Sequence, residues 1–350
     1  MIALSLLGEL SRQGRTALHA TGSRSFTQTL RKVAGHRAPR VQKLFAYFNS
    51  FMDVERNSLD VLICDEAHRI RETSVNRYTP KSVRESARAQ IDELIDVARV
   101  PVFLLDEHQV VRPGEQGTVD DIRDAASRRG LDVVQVDLGA EFRAGGSQAY
   151  IDWVLRLLGL AEGGPVTWSD EPNFSVAVVD SPQELEHRLR ARLAEGSGAR
   201  MTAGYCWPWS DPTRDGRLVE DVRIDGWARP WNVKGDRAVG DAPASALWAT
   251  ADGGFDQVGC VYTAQGFEYA WNGVILGPDL VWREDRFVSR RAENRDPDFR
   301  STKRVSDGEF DRLVRNVYKV LLTRGMEGTL IYSTDEETRA KLRTLVGARR

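Results

Sequence analysis

The sequence predicts an α/β protein of two lobes with parallel sheets, and three observations lead to this class. Largely apolar runs at 60–64 and 100–105, each followed by acids, are typical of buried parallel strands. Helical periodicity at 82–98 separates them, which gives a strand–helix–strand unit. The chain has 350 residues and 41% hydrophobic content, enough to bury two medium-sized cores.

The first lobe is predicted to span residues 1–138. It begins with a short amphipathic helix at 2–10, because apolar residues recur there at helical spacing. A β-like run at 16–20 precedes a polar turn and a helix from Phe26. A further short strand is expected at 132–137.

The second lobe is predicted to span residues 139–350, because the composition shifts there to small residues that precede a new helix. Its expected elements are strands at 174–179 and 274–276, a helix at 182–193, and a final helix and strand within 310–332. A tract rich in Trp, Pro and Gly at about 205–256 is too long for an ordinary connection, so we expect a functional or partly ordered insertion.

Charge and cysteine content narrow the function classes. Lys and Arg number 49 and Asp and Glu 51, for a net charge of -2, so any nucleic-acid groove must be local. Three cysteines without a CxxC spacing argue against a disulfide framework and a zinc site. No apolar run approaches the roughly 20 residues that a membrane-spanning helix needs. We therefore expect a soluble, cytoplasmic protein with no membrane partner.

The strongest chemical signal is the acid pair in Val-Leu-Ile-Cys-Asp-Glu-Ala-His at 61–68, at the carboxyl end of a predicted strand. It looks like a Walker B box, in which Asp65 would hold Mg²⁺ and Glu66 would orient and deprotonate the attacking water in phosphoryl transfer. His68 would relay the nucleotide state to the second lobe. The alternative is an acid pair that caps the next helix.

Three further residues are candidates for contact with a transferring phosphate. Gln109 follows the second strand and could sense a γ-phosphate, although a polar turn after a core strand has the same pattern. Arg143 at the lobe junction and Arg324 near the end are candidate arginine fingers. The alternative for each arginine is a solvated surface position.

Residues 262–268 combine hydroxyls, an amide, a glycine and an acid. Gln265, Gly266 and Glu268 are therefore candidates to contact the phosphate and ribose of a nucleotide, with an ordinary strand turn as the alternative. Tryptophans of the second lobe could stack on bases or pack in the core. The basic tract 283–304, interrupted by acids, could line a groove or form a solvated loop.

Taken in order, these segments resemble superfamily 1 helicases, and in particular the bacterial Schlafen group 3-like DNA/RNA helicase domain family. The resemblance covers nearly the full length. The matching segments are 20–22, 26–27, 65–72, 106–115, 142–143, 206–211, 262–268 and 322–325. It implies two RecA-like P-loop NTPase lobes that bind ATP with Mg²⁺ and track along DNA or RNA, expected to be single-stranded. It also implies Thr21 and Thr263 as nucleic-acid contacts.

The sequence departs from the family pattern at one point. The family begins with a strand and a Gly-rich loop ending in Gly-Lys-Ser/Thr, whose amides and lysine hold the phosphates. This sequence contains no Gly-Lys pair, and its first helix resembles the one that follows that loop. We therefore expect the first lobe to lack its initial strand and P-loop, and this polypeptide alone to show little or no ATP hydrolysis.

Three functions fit these patterns. The first is an ATP-dependent nucleic-acid translocase that lacks its phosphate loop. The second is a degenerate module that binds nucleic acid or a protein partner, and the intact Asp65, Glu66, Gln109 and Arg324 count against it. The third is an ATPase switch that controls a fused or neighbouring effector, such as a nuclease.

Overall fold

The structure is a computed structural model that describes residues 2–75, 79–85, 87–106, 109–115, 117–136 and 144–347. The chain divides into two compact units, Met1–Asp137 and Leu138–Arg350. Within the described residues, no helix is long and apolar enough to cross a membrane.

Unit 1 is a layer of parallel strands between helices. Its strands are β1 (Ala17–Thr21), β2 (Phe45–Tyr47), β3 (Leu59–Asp65) and β4 (Ala98–Phe103). Its helices are α1 (Ile2–Arg12), α2 (Arg24–Val33), α3 (Pro39–Gln42), α4 (Lys81–Glu85), α5 (Gln90–Asp96) and α6 (Val119–Ser127). Among the described residues the strand order is β2-β1-β3-β4, all parallel, with β3 hydrogen-bonded directly to β4.

Strand β3 is apolar throughout its centre because both of its faces are covered. Leu62 and Cys64 pack into one hydrophobic cluster together with α5 and α6, whereas Val61 and Ile63 pack into a second cluster together with α1. Successive side chains of a strand point to opposite faces, so a doubly covered strand reads as a continuous apolar run. The predicted strand at 60–64 is confirmed.

Two predictions for unit 1 were wrong. The single helix expected at 82–98 is two helices, α4 and α5. Ala89 is extended and bridges Thr73, and the Gln90 N–H donates to the Glu72 carbonyl, so helical hydrogen bonding is interrupted before α5. The strand expected at 132–137 is absent from residues 132–136, where Val134 is 86% exposed and pairs with no strand.

Unit 2 has a second parallel sheet. Its strands are β5 (Ser175–Val178), β6 (Ala199–Ala203), β7 (Val222–Ile224), β8 (Trp227–Arg229), β9 (Val258–Gly259), β10 (Tyr269–Leu276), β11 (Leu280–Arg283), β12 (Arg286–Ser289) and β13 (Gly325–Ser333). Its helices are α7 (Gln148–Leu157), α8 (Pro182–Ala194), α9 (Val261–Ala264), α10 (Asp307–Leu322) and α11 (Glu336–Val346). In the part of the chain that is described, the main sheet has the order β5-β13-β10-β6-β9.

The α/β class with a parallel sheet in each unit is therefore confirmed. Strands β5 and β10, helix α8 and the pair α10–β13 lie where the sequence predicts them. Strand β6 was missed, because its centre, Arg-Met-Thr, is mixed in polarity, yet it is fully buried between β10 and β9.

The Trp-rich tract at about 205–256 connects β6 to β9 and is packed onto the unit 2 core. It contains the antiparallel hairpin β7–β8, and its Trp227 and Trp231 belong to the hydrophobic cluster under the sheet. Trp207 and Trp209 are only half-buried and pack against that cluster. Most tryptophans of this tract are thus core residues, which was the alternative to base stacking.

One buried carboxylate fastens the hairpin to α8. Glu186 accepts hydrogen bonds from Trp227 Nε1 at 2.7 Å, from Arg229 at 2.6 Å and from Arg190 at 2.7 Å. Burial alone would raise the pKa of this carboxyl, but the three donors outweigh it and hold the pKa below its ordinary value. The ionised form is therefore stabilised by folding.

We expect Glu186→Gln to lower the free energy of unfolding of unit 2 by about 2 kcal/mol at pH 7, because it leaves the buried Trp227 N–H and two partly exposed arginines without a charged acceptor. The urea midpoint, followed by tryptophan fluorescence, measures the loss. Because the pKa of Glu186 in the folded protein lies below its unfolded value of about 4.5, this stabilisation is complete above that pH and is lost as the pH falls through the folded-state pKa, where the difference from wild type should shrink. Glu195→Gln, in an exposed pair with Arg192, is the control and should cost less than about 0.5 kcal/mol. Equal losses in both variants would contradict the role of Glu186.

Candidate functional site

The acid pair of the sequence lies where β3 ends. Asp65 is the last residue of the strand, and Glu66 adopts a left-handed conformation with φ 55° and ψ 43° before the short helical turn 67–69. A non-glycine residue in this region costs about 1 kcal/mol. The turn brings the Glu66 carboxylate to 3.1 Å from His68 Nε2. The predicted helix-capping alternative does not describe it, because the Glu66 side chain makes no cap hydrogen bond to this turn.

Both oxygens of Asp65 are held by donors of unit 1. Its Oδ1 accepts the Glu66 N–H at 3.0 Å, and its Oδ2 lies 3.0 Å from Nε2 of His19 on β1. His19 is completely buried, and its ring stands edge-on to Phe26 and Phe45. Since a carboxylate only accepts, this geometry assigns the Nε2 proton to His19. Asp65 keeps 22% of its side chain exposed.

His19 was missed from the sequence. It stands in Ala-Leu-His-Ala, a strand with no acid beside it, and its partner is 46 residues away along the chain. The available signal was the parallel pairing itself. In the observed register Thr21 lies opposite Asp65, and His19 reaches it diagonally.

Two glycines let neighbouring loops approach the 67–69 turn. A Cβ at Gly117 would lie 1.8 Å from the Ala67 carbonyl oxygen, and a Cβ at Gly22 would lie 2.7 Å from Arg69 Cβ. Side chains at these positions would displace the turn. The Ala67 N–H also donates to the Leu104 carbonyl at 2.8 Å, so the chain after β4 lies against the same turn.

The other residues predicted for unit 1 lie at the same edge of the sheet. Thr21 is buried, and its hydroxyl accepts the Ser23 N–H, which shapes the entry to α2. Gln109 is buried, and its amide donates to Asp106 at 3.1 Å. The roles of Thr21 as a nucleic-acid contact and of Gln109 as a phosphate sensor stay predictions.

The segment after the turn is fixed to α5 by polar side chains. Gln90 accepts the Arg71 N–H and donates to Ser74, and Ser74 donates to Glu93 at 2.5 Å. Burial raises the pKa of the Glu93 carboxyl. Burial likewise lowers the pKa of Arg69, while Glu115 and Glu66 act against that shift. Neighbouring loops thus pack against the 67–69 turn, and hydrogen bonds to α5 fix the segment that follows it.

The residues predicted for unit 2 surround the end of α9. Gln265 is buried, Gly266 has φ 89° and Glu268 is exposed. Thr263 is buried, and its hydroxyl lies 3.8 Å from Cys260 Sγ. Gly266 is the one position of this turn that needs a left-handed backbone. Contacts of these residues with nucleotide or nucleic acid stay predictions.

Arg324 is brought next to this turn. Its guanidinium donates to the Val320 carbonyl at 2.9 Å and to the Phe267 carbonyl at 3.4 Å, and the Tyr269 N–H donates to the Arg324 carbonyl. The side chain is only 2% exposed. Arg324 is therefore not the solvated surface arginine of the alternative, and its role as an arginine finger stays a prediction. Arg143 lies outside the described residues.

Part of the positive charge of the basic tract 283–304 is neutralised by acids. Arg283 pairs with Asp335, and Arg291 pairs with Asp307 and donates to the Phe299 carbonyl. It forms the hairpin β11–β12 and two helical turns. The tract is therefore ordered, and Arg283 and Arg291 are held by acids that lie outside it.

The donor set at Asp65 fits a magnesium ion bound together with phosphates. In the described part of the chain no group of three or more His, Cys, Asp or Glu side chains could hold a metal by itself. Mg²⁺ commonly uses one or two carboxylates, several waters and substrate phosphates. Asp65 is a partly exposed carboxylate whose oxygens each accept one hydrogen bond and retain capacity for another.

We expect Gly117→Ala to lower the free energy of unfolding of unit 1 by about 3 kcal/mol, because the new methyl group meets main-chain atoms of the 65–69 turn. Thermal unfolding measures the effect. Gly8→Ala is the matched control, since Gly8 lies within α1 and a Cβ there meets nothing. It should leave stability unchanged or raise it. A tolerated Gly117→Ala would show that the turn is free to move.

Comparison with known proteins supplies the family. The model of the family "Schlafen group 3, DNA/RNA helicase domain" matches residues 1–335. An uncharacterized protein of Saccharomyces cerevisiae, YPL245W, is 25% identical over 307 residues, which cover 81% of this chain and 64% of that protein. The chain thus spans less than two thirds of this relative's length.

Among solved structures, S. cerevisiae Dbp5 bound to RNA and ADP BeF3 is 10% identical, with 100% of this chain and 80% of that chain covered at a TM-score of 0.31. That TM-score is too low to add to the fold assignment. The family match extends over nearly the whole chain and includes the acid pair of β3 and the 262–268 turn. The chain belongs to the Schlafen group 3 DNA/RNA helicase domain family and is a helicase-like core.

Proposed function

We propose that this chain is the motor core of a nucleic-acid-dependent ATPase of the helicase type, with its hydrolytic chemistry at the end of β3. The observation that carries the proposal is that the two adjacent carboxylates contact different residues. Asp65 is held by His19 and the Glu66 N–H, whereas Glu66 faces His68. Adjacent acids with separate partners can take separate tasks.

Asp65 is proposed to hold Mg²⁺ that arrives with ATP. Bound Mg²⁺ would neutralise charge that develops on the transferring phosphoryl group. His19 orients the carboxylate from behind, as a residue that positions a metal ligand. Because Asp65 ends a buried strand, its backbone is fixed by the sheet, and the histidine fixes the remaining side-chain torsion.

Glu66 is proposed to orient the attacking water and accept its proton. The left-handed turn directs its carboxylate away from the strand and toward His68, which is almost fully buried. Because His68 Nε2 lies 3.1 Å from this carboxylate, the contact would change when Glu66 turns to water. That exchange is the basis on which we propose His68 as the coupling residue.

Residues of unit 2 complete the proposal. Gln265, Gly266 and Glu268 are assigned to phosphate and ribose contacts, and Arg324 to the charge of the transition state. Thr21 and Thr263 are assigned to nucleic acid, with single strands of DNA or RNA as the partner. The sequence holds no Gly-Lys pair, so the phosphate-binding lysine typical of P-loop enzymes is absent from these 350 residues.

Phosphate release in the presence of Mg²⁺·ATP, with and without single-stranded DNA or RNA, tests the proposal. We expect little or no turnover from this polypeptide, because phosphate affinity without the lysine is low. Any turnover that nucleic acid stimulates should fall about 100-fold or more in Glu66→Gln, which keeps the shape but not the base. Glu72→Gln, in the same segment, is the control.

Stimulated turnover that Glu66→Gln leaves unchanged would refute the assignment of the base. Strand displacement measured on a partial duplex separates an unwinding motor from an ATPase switch that moves no strand.

A further inference from the structure

A long segment of unit 1 contains no acid. From Leu10 to Met52 there is neither aspartate nor glutamate, although the chain carries 51 of them. The same segment holds eight lysines and arginines, six of them between Arg24 and Lys43. The near-zero net charge of the whole protein conceals this local excess. A surface that served solubility alone would intersperse both signs.

Four of these cations are exposed and have no carboxylate partner. They are Lys32 near the end of α2, Arg37 in the turn that follows, Arg40 on α3 and Lys43 directly after α3. No ion pair within the described residues involves them. We call these four residues the α2–α3 patch. By contrast, exposed arginines on α8 are paired with acids, as in Arg188 with Glu184.

The patch is displayed from a rigid turn. A Cβ at Gly35 would lie 2.4 Å from Gln42 Cγ, and the Gln42 amide donates to the Gly35 carbonyl at 2.9 Å. Arg31 fastens α2 to β2, because its guanidinium donates to the Phe45 carbonyl at 2.6 Å. Arg37 is held in a left-handed conformation with φ 54°. Order of this kind reduces the entropy lost when the cations bind an anion.

The patch is separate from the proposed hydrolytic site. Helix α2 begins just after the carboxyl end of β1 and runs back along the sheet, and α3 leads into the start of β2. A helix of 10 residues is about 15 Å long. The patch therefore lies toward the opposite edge of the sheet from Asp65, where none of the catalytic assignments is placed.

We propose that the α2–α3 patch binds the phosphate backbone of a nucleic-acid strand. The inference rests on the proposed function in one respect, that the partner is nucleic acid. Four exposed cations within 12 residues of chain, without counter-charges among the described residues, match a polyanion with regularly spaced phosphates. Two of them are arginines, whose planar guanidinium suits phosphate. An anionic membrane fits less well, because Val33 is the one large apolar side chain exposed between Leu10 and Met52, and no exposed aromatic accompanies it there.

The test is the salt dependence of binding to fluorescent single-stranded DNA and RNA oligonucleotides. The variant carries Lys32→Gln, Arg37→Gln, Arg40→Gln and Lys43→Gln together. The slope of log K against log salt should fall by about 3, since each phosphate contact on a single strand contributes about 0.7. Affinity at about 50 mM salt should fall at least about tenfold. Thermal unfolding should change little, because within the described residues the four side chains make no hydrogen bond or ion pair.

The control removes the same charge from paired positions, with Arg12→Gln, Arg188→Gln, Arg192→Gln and Arg217→Gln together. It should leave the slope nearly as in wild type. An unchanged slope in the patch variant, or no oligonucleotide binding by wild type, would overturn the proposal. Patch-dependent binding to phosphatidylserine vesicles without binding to oligonucleotides would overturn the nucleic-acid assignment.

Oligonucleotide binding by Asp65→Asn separates this proposal from the proposed ATPase. The patch lies away from Asp65, so the salt slope of this variant should equal that of wild type whatever the ATPase assays show. A lower slope in Asp65→Asn would contradict the separation of the two sites.

Discussion

Strand β3 must be apolar in its centre and acidic at its end, and much of unit 1 follows from these two requirements. Leu62 and Ile63 are fully buried because helices cover both faces of the sheet. Asp65 lies at the end of this apolar region and is only partly exposed, so its carboxylate needs hydrogen-bond donors. His19 and the Glu66 N–H are those donors. The left-handed Glu66 then turns the chain away, and Gly22 and Gly117 give it room.

The fold class could be predicted because hydrophobic periodicity is local. The run at 60–64 identifies β3 without any knowledge of its neighbours. The prediction of one helix at 82–98 was wrong because the interruption depends on pairing between Ala89 and Thr73. Hydrophobic periodicity carries no information about that pairing. The strand at 132–137 was predicted because valines favour strands. That prediction was wrong, since the exposed Val134 pairs with no sheet.

The same distinction applies to the site. Asp65 and Glu66 were predictable because a short run of residues carries the motif, whereas His19 is joined to them only through the register of parallel strands. Arg324 was predicted as an arginine that faces a cleft, but its main-chain partners come from the turn near Phe267. The α2–α3 patch was not predicted because the net charge is a sum over the whole chain. The absence of acids between Leu10 and Met52 appears only when the charge of that segment is counted separately.

Mg²⁺-dependent binding of a fluorescent ATP analogue tests whether Asp65 binds Mg²⁺ together with ATP. The assay compares this chain with a longer form that carries any in-frame Gly-Lys-Ser/Thr loop encoded upstream. In the form that binds, Mg²⁺ should strengthen binding, Asp65→Asn should abolish that increment, and Asp60→Asn, at the other end of β3, should preserve it. If neither form binds, or if the Mg²⁺ increment survives Asp65→Asn, Asp65 is not a ligand of ATP-bound Mg²⁺.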